Sequence, residues 1–221
     1  MSELPFANRR AAGRALAKRL LAYADDETLV LGLPRGGVPV AAEIARELKA
    51  TLDVMVVRKL GVPGHEEFAM GAIASGDVTV LDEALVKRLN IGEKRLQAVI
   101  DSEHRELARR ENAYRGDHPY PDLHGRQIIL VDDGIATGSS MRAAIAAIRR
   151  LGAERLIVAV PVAPRDALDT LAPDVDEIVC VATPEHFHAV GQWYIDFDQT
   201  SDAQVRACLA DSARAPFHPH Q

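Results

Sequence analysis

Two adjacent carboxylates, Asp132 and Asp133, follow the apolar segment 128–131, and a loop with two glycines and three hydroxyl residues comes directly after them. Glycine lets the backbone approach a ligand closely, and successive amides at the start of a helix attract an anion. The loop therefore predicts a phosphate site formed by backbone amides and hydroxyl groups. Its residues are Gly134, Ile135, Ala136, Thr137, Gly138, Ser139 and Ser140.

The acid pair restricts what else the ligand contains. Two carboxylates beside a phosphate site repel the ligand unless they face hydrogen-bond donors or a cation. The vicinal hydroxyls of ribose are donors and a hydrated Mg²⁺ is a cation, so either group suits Asp132 and Asp133. A Walker-type nucleotide site is excluded because no Lys-Ser or Lys-Thr follows Gly138. A ribose 5-phosphate satisfies both the loop and the acid pair.

A second candidate site is the turn formed by Pro34, Arg35, Gly36 and Gly37, which follows the apolar run 28–33. The arginine offers a planar fork for phosphate oxygens, and the glycines permit contact between a ligand and the backbone. Taken alone, this short motif is equally compatible with a plain turn.

Arg58 and Lys59 supply further positive charge. They follow the predicted strand 53–57, and at its carboxyl end they would face the same edge of the sheet as the turn 34–37. A group with several negative charges needs such cations. The alternative interpretation is a solvated surface pair.

Short apolar runs alternate with amphipathic segments along most of the chain, which is typical of a doubly wound, mostly parallel α/β sheet with helices on both faces. In such sheets ligands bind beyond the carboxyl ends of the strands, where both candidate sites fall. The predicted strands are 28–33, 53–57, 127–131, 155–162 and 174–182, and the predicted helices are 6–23, 38–49, 138–151 and 166–171.

The segment 58–126 has a different character and predicts an insertion into a single domain, 1–221. It would begin as a mobile loop, continue as a hairpin near 70–81, and end in a long charged helix over about 92–114 that serves as scaffold or subunit contact. The last stretch, 183–221, predicts a C-terminal hood and tail.

Residues 128–140 resemble the signature with which type I phosphoribosyltransferases bind 5-phosphoribosyl-1-pyrophosphate (PRPP): aliphatic residues, two acids, and a short loop ending in Thr-Gly. Segments 6–13, 57–64 and 67–72 are also similar to a group of stand-alone bacterial phosphoribosyltransferase-domain proteins of unassigned substrate. The resemblance implies a Rossmann-like sheet with a small hood subdomain. It further implies transfer of the 5-phosphoribosyl group to a nitrogenous, nucleobase-like acceptor, with Mg²⁺ as cofactor and pyrophosphate as leaving group. Homodimers are frequent in this family.

The resemblance also implies roles for the candidate residues. Asp132 and Asp133 bind the ribose and contact Mg²⁺ through water, while the loop 134–140 binds the 5′-phosphate. The turn 34–37, together with the two cations after the second strand, binds pyrophosphate. The catalytic candidates are Asp133, Arg35 and Glu67.

The sequence does not identify the acceptor. Members of the family that salvage 6-oxopurines usually carry an acid immediately before the Thr-Gly, where this chain has Ala136, so hypoxanthine and guanine are disfavoured. Glu67, in the expected mobile loop, is a candidate general base or, alternatively, part of a solvated loop tip. The aromatic candidates for stacking on a planar base, or for packing within the hood instead, are Phe187, Trp193 and Tyr194.

Composition narrows the class of protein. A net charge of −6 without a clustered basic patch argues against nucleic-acid binding, and no apolar run reaches the roughly 18 residues of a membrane span. Cys180 and Cys208 lie outside any metal-ligand spacing, and the missing secretory signal predicts a cytoplasmic protein with buried thiols.

Two alternative functions stay open: a PRPP-binding regulator without transferase activity, and a hydrolase or phosphorylase of a phosphoribosyl compound. The presence of Arg35, Arg58 and Lys59 favours the transferase, because a departing pyrophosphate needs cations.

Overall fold

The computed structural model describes residues 4–25, 27–116 and 118–214, and a parallel sheet lies at its centre. The strands, in chain order, are β1 (Leu29–Gly32), β2 (Thr51–Val54), β3 (Val57–Val62), β4 (His65–Ala74), β5 (Val78–Leu81), β6 (Gln127–Val131), β7 (Arg155–Val162) and β8 (Glu177–Ala182). The helices are α1 (Arg9–Leu20), α2 (Gly37–Leu48), α3 (Glu83–Arg88), α4 (Glu93–Arg115), α5 (Ser139–Arg150), α6 (Arg165–Leu171) and α7 (Asp202–Arg214). The five parallel strands have the order β2-β1-β6-β7-β8, which confirms the predicted α/β fold.

Each face of the parallel sheet is covered by its own helices, because alternate residues of a strand point to opposite faces. Val30 and Ile129 pack with α1 and α2 on one face, while Leu31 and Leu130 pack with α5 and α6 on the other. All four side chains are fully buried. Burial on both faces explains why β1 and β6 are continuous apolar runs in the sequence.

The register between β1 and β6 brings the two candidate sites together. Gly32 is the register partner of Val131, so the two strands end at the same level of the sheet. Beyond that pair, the Leu33 N–H donates to the carbonyl oxygen of Val131 at 2.8 Å. The turn 34–37 therefore starts beside the residue that precedes the acid pair.

The second predicted strand was placed wrongly. It was expected over 53–57, but β2 ends at Val54, and Val57 already belongs to β3 of a separate antiparallel sheet with the order β3-β4-β5. Arg58 and Lys59 thus lie within β3, not at the carboxyl end of a parallel strand. The apolar run continues across Met55 and Val56, which are both buried, so hydrophobicity alone did not mark the break.

The expected mobile loop before residue 70 is a paired hairpin. β3 and β4 run antiparallel, with Val62 opposite His65 at the tip and a register shift on either side of Gly61. The prediction missed this strand because the residues from His65 to Ala69 are all exposed, so their pattern lacks the alternation that marks a half-buried strand. The second hairpin, expected near 70–81, is confirmed by the pairing of β4 with β5.

Helix α4 packs against the antiparallel sheet and against α7. Its bounds agree with the prediction of about 92–114, and its buried residues are Leu107 and Tyr114. Glu103, which interrupts the apolar stripe in the sequence, accepts a hydrogen bond from Arg58 Nε at 2.7 Å. This face of α4 therefore packs against other elements of the same chain. Its predicted role as a subunit contact stays a prediction.

None of the described helices is both long enough and apolar enough to cross a lipid bilayer. The two cysteines are free thiols, Cys208 buried and Cys180 half-buried.

Glu43 is a buried carboxylate between α1 and α2. Its side chain is 1% exposed and accepts from Arg10 at 3.2 Å, with Arg14 at 3.5 Å and Arg46 also in contact. We expect Glu43→Gln to lower the free energy of unfolding by about 1–3 kcal/mol, because a buried group loses charge-assisted hydrogen bonds. Urea unfolding measures this change.

The matched control is Glu47→Gln on the exposed side of the same helix. Its free energy of unfolding should stay within about 0.5 kcal/mol of the wild-type value. Equal urea midpoints for the two variants would show that Glu43 does not hold α1 and α2 together.

Candidate active site

The acid pair lies at the carboxyl edge of the parallel sheet, immediately after β6. The backbone N–H of Asp133 donates to Asp132 Oδ1 at 2.8 Å, which fixes the first carboxylate against its neighbour. Tyr194, from the C-terminal part of the chain, donates its hydroxyl to the Asp133 carbonyl oxygen at 2.5 Å. The side chain of Asp132 and the backbone of Asp133 are therefore held in place by the protein.

The glycines of the turn 34–37 make room for the acid pair. A Cβ on Gly36 would lie 2.0 Å from Asp133 Oδ2, and a Cβ on Gly37 would lie 2.7 Å from the Val131 carbonyl oxygen. Neither contact is possible for a larger residue, so glycine is required here by close approach. The peptide bond between Pro34 and Arg35 is cis. The two motifs that the sequence analysis treated separately are in direct contact.

Arg9 is a site residue that the sequence analysis missed. Its Nε donates to Asp133 Oδ2 at 2.7 Å, and Nη1 donates to the carbonyl oxygen of Asp198 at 2.7 Å. Its guanidinium also lies 4.0 Å from the centre of the Phe197 ring. The sequence signal for Arg9 was weak: it belongs to the segment 6–13 quoted for the family resemblance, and nothing in that segment indicates a contact with the acid pair.

Burial raises the pKa of both carboxyl groups in the pair. For Asp132 the pKa is raised well above its ordinary value, first by burial and then by the neighbouring charge of Asp133. For Asp133 burial also raises the pKa, while the Arg9 guanidinium opposes that rise. Two buried carboxylates this close resist carrying two charges unless hydrogen-bond donors or a cation face them, which agrees with a diol or hydrated-metal ligand.

The loop 134–140 connects the acid pair to α5. Gly138 adopts a left-handed conformation, with φ 71°, immediately before the first residue of the helix. The hydroxyl oxygens of Thr137 and Ser139 lie 3.2 Å apart on the exposed side of this helix start. These hydroxyls lie at the N-terminus of a 12-residue helix, where the first backbone amides have no helical partner and an anion is favoured.

Ile135, one of the residues predicted to bind phosphate, uses its backbone amide within the protein. Its N–H donates to the Val162 carbonyl oxygen at 3.0 Å, and its side chain is buried. This amide is therefore not free for a phosphate, and Ile135 anchors the loop to the end of β7. Gly134 is similarly enclosed, since a Cβ there would lie 2.5 Å from Val190 Cγ1.

The predicted pyrophosphate cations occupy different places. Arg35 leaves the turn beside the acid pair, and its Nη1 lies 3.8 Å from Asp202 Oδ1 at the start of α7. Arg58, on β3, is paired with Glu103 of α4 at 2.7 Å. Both arginines thus have a carboxylate partner in this structure, and only Arg35 is placed by the turn itself.

Lys59 and Glu67 line an open groove of about 760 Å³ between the antiparallel sheet and α5, together with Ser139 and Arg142. Lys59 and Glu67 thus lie in a groove that is also lined by the first turn of α5. The structure does not bring either one into contact with the acid pair.

The three aromatic candidates separate into two groups. Tyr194 is buried between Phe6 and Phe197, with ring centres at 5.6 Å and 4.9 Å, and burial raises the pKa of its hydroxyl. It forms the wall behind Asp133, and this burial favours the alternative interpretation, packing within the protein, over stacking on a planar base. Phe187 and Trp193 stack on each other at 6.3 Å and are only half-buried.

The acid pair fits a metal ion that is shared with a ligand. Among the described residues, no group of three or more His, Cys, Asp or Glu side chains is arranged to hold a metal. Mg²⁺ keeps several waters and commonly binds one or two carboxylates together with phosphate oxygens. Asp132 and Asp133 match that pattern, with the remaining oxygens coming from water and ligand.

Comparison with known proteins defines the class. Residues 7–198 match the family described as "Phosphoribosyl transferase domain", and the chain belongs to this family. It is 46% identical over 212 residues to the "Putative phosphoribosyl transferase Rv0571c" of Mycobacterium tuberculosis, an alignment that covers 96% of the chain and 48% of that protein. The chain therefore spans about half the length of this curated relative.

Two solved structures share the fold. The crystal structure of TT1426 from Thermus thermophilus is similar with a TM-score of 0.84 and 40% identity, covering 94% of this chain and 99% of that one. AQ2163 of Aquifex aeolicus, with a TM-score of 0.50 and 12% identity over 83% of this chain and 78% of its own, shares the fold alone.

Proposed function

We propose that this chain binds PRPP and transfers its 5-phosphoribosyl group to a nitrogenous, nucleobase-like acceptor, with release of pyrophosphate. The observation that supports this most directly is the contact between the turn 34–37 and the acid pair at adjacent strand ends. A ligand with a phosphate at one end, a diol in the middle and a pyrophosphate at the other matches these three neighbouring elements. Membership of the phosphoribosyl transferase domain family supports the same reaction.

Each element has a separate task in this reaction. Asp132 and Asp133 accept hydrogen bonds from the vicinal hydroxyls of the ribose, and the amides and hydroxyls from Thr137 to Ser140 bind the 5′-phosphate. The turn 34–37 and Arg35 bind the pyrophosphate. Asp132 and Asp133 would hold Mg²⁺ through water, and the ion would supply positive charge next to the pyrophosphate.

The bond between the anomeric carbon and the pyrophosphate oxygen breaks as a bond to the acceptor nitrogen forms. Charge accumulates on the departing oxygens, and fixed donors that face them lower the barrier. Arg35 is the side chain best placed for this task, because the turn holds its backbone beside the acid pair. Before the Arg35 side chain can contact the pyrophosphate, it must leave the Asp202 carboxylate, which now lies 3.8 Å away.

The acceptor would be bound by aromatic side chains near the C-terminal end and activated by a carboxylate. Phe187 and Trp193 remain candidates for stacking on a planar base. Glu67 remains a candidate general base, although its place on exposed β4 requires the hairpin to move toward the ligand. We further propose that the protein acts in the cytoplasm and as a homodimer, on family analogy.

Calorimetric titration with PRPP in MgCl₂ tests the binding step, and a screen of nitrogenous acceptors read by mass change tests the transfer. We expect saturable binding that weakens when EDTA removes the metal, and pyrophosphate release that depends on one class of acceptor. Absence of PRPP binding would overturn the proposal. Tight binding without transfer to any acceptor would support the regulator instead, and loss of pyrophosphate to water alone would support the hydrolase.

A further inference from the structure

We infer that Arg9 is a positioning residue, which fixes the Asp133 carboxylate in the orientation that receives the ribose. The inference rests on the proposed function, because it concerns how the same site holds PRPP. The key observation is the 2.7 Å bond between Arg9 Nε and Asp133 Oδ2, in which the two side chains are only 12% and 14% exposed.

The guanidinium itself is firmly placed. It bonds Asp133 through Nε and the Asp198 carbonyl oxygen through Nη1, and its central carbon lies over the Phe197 ring, 4.0 Å from the ring centre. The backbone of Arg9 is fixed as well, since it is the first residue of α1 and follows Asn8, whose side chain caps the helix by accepting the Ala11 N–H at 2.9 Å. An arginine held at both ends is a rigid partner rather than a mobile surface charge.

This contact determines which carboxylate oxygen meets a ligand. Arg9 bonds Oδ2, and the backbone of Gly36 packs against the same oxygen. Among the hydrogen bonds of the described residues, the Asp133 side chain accepts from Arg9 through Oδ2. The neighbouring Asp132 carboxyl also lies close enough to interact with the Asp133 carboxyl. The bond to Arg9 thus restrains the rotation of the carboxylate, and Oδ1 is the oxygen that we assign to a donor such as a ribose hydroxyl.

Arg9 also connects parts of the chain that lie far apart in sequence. Asp133 is 124 residues and Asp198 is 189 residues from Arg9. The same C-terminal stretch provides Tyr194, which bonds the Asp133 carbonyl oxygen. The N-terminal helix and the C-terminal wall therefore hold the side chain and the backbone of one ribose-binding residue.

The test compares Arg9→Gln with Arg9→Lys, using ribose 5-phosphate and inorganic pyrophosphate as separate calorimetric probes in MgCl₂. We expect Arg9→Gln to weaken ribose 5-phosphate binding about tenfold or more, because a charge-assisted contact that orients the acid is lost. Pyrophosphate binding should stay within about twofold. Arg9→Lys retains the charge without the planar fork, so it should recover part of the lost affinity.

Lys18→Gln is the matched control, since it removes one positive charge from the exposed side of the same helix. It should bind both probes like the wild type. If Arg9→Gln weakens both probes equally, or weakens neither, the positioning role is overturned. If Arg9→Gln fails to fold, Arg9→Lys decides by the same comparison. Failure of the wild type to bind either probe would instead overturn the proposed function and this inference together, which separates the two outcomes.

Discussion

Replacement of Asp133 by Asn should weaken PRPP binding by about 10- to 100-fold, because hydrogen bonds to a charged group contribute about 1.5–3 kcal/mol. The amide keeps the size of the carboxyl group but loses its charge, and only one of its two ends can accept a ribose hydroxyl. The Arg9 Nε that now bonds Asp133 Oδ2 at 2.7 Å would turn the remaining carbonyl oxygen toward itself. The ribose would then meet the amide NH₂, a donor where an acceptor is needed.

Calorimetry in MgCl₂ measures this loss, and thermal unfolding shows whether the variant is folded. Asp169→Asn makes the same chemical change on the exposed surface of α6, where the side chain pairs with Arg165, and should leave PRPP affinity unchanged. A folded Asp133→Asn that binds PRPP like the wild type would remove the acid pair from the ribose site.

The sheet and its ligand edge could be predicted from the sequence because their signals are local. Continuous apolar runs mark β1 and β6, and the motif after each strand lies where an open α/β sheet binds ligands. To predict the contact between the two motifs, one would also have to know that β1 and β6 are neighbours in the sheet. That adjacency is a property of strand order, which no short segment determines.

Long-range side-chain contacts could not be predicted. Arg9 stands among several arginines of α1, and nothing in its neighbourhood distinguishes it from Arg10, which bonds Glu43 instead. Tyr194 was interpreted as a stacking residue because aromatic side chains suit a base-binding wall. Its burial, and its bond to the Asp133 backbone, depend on how the C-terminal stretch passes behind the acid pair.

The hairpin of β3 and β4 shows a different kind of failure. On the β4 side of its tip, the residues from His65 to Ala69 are all exposed, so this part of the sequence has the polar character that usually indicates a loop. Backbone pairing with β3, together with the buried side chains of Leu60 and Val62 on that strand, orders it. Placement of Arg58 and Lys59 depended on this element, and the prediction that they end a parallel strand failed with it.

A single added methyl group at Gly36 should be the most damaging small change in the site. In Gly36→Ala the new Cβ would lie 2.0 Å from Asp133 Oδ2 and 2.6 Å from its Cγ, so the carboxylate must move and break its bond to Arg9. Gly36 has φ −63° and ψ −34°, which alanine adopts without strain, so the contact alone causes the effect. We expect PRPP affinity to fall about 100-fold and the free energy of unfolding to fall by about 1–3 kcal/mol.

The comparison that isolates this contact is a double-mutant cycle. Asp133→Ala removes both atoms that the new methyl group would strike, so Gly36→Ala should cost little further stability in that background, and the two changes should be strongly non-additive. Gly92→Ala provides the control for adding a methyl group in open space. Gly92 has φ −66°. Apart from Gly92 itself and its two chain neighbours, no heavy atom of the described residues lies within 4 Å of the position that a Cβ would take there. Equal destabilisation by Gly36→Ala with and without the Asp133 side chain would mean that the turn does not press on the acid pair. In that case the shared pyrophosphate and ribose site would lose its structural basis, because the two motifs would no longer constrain each other.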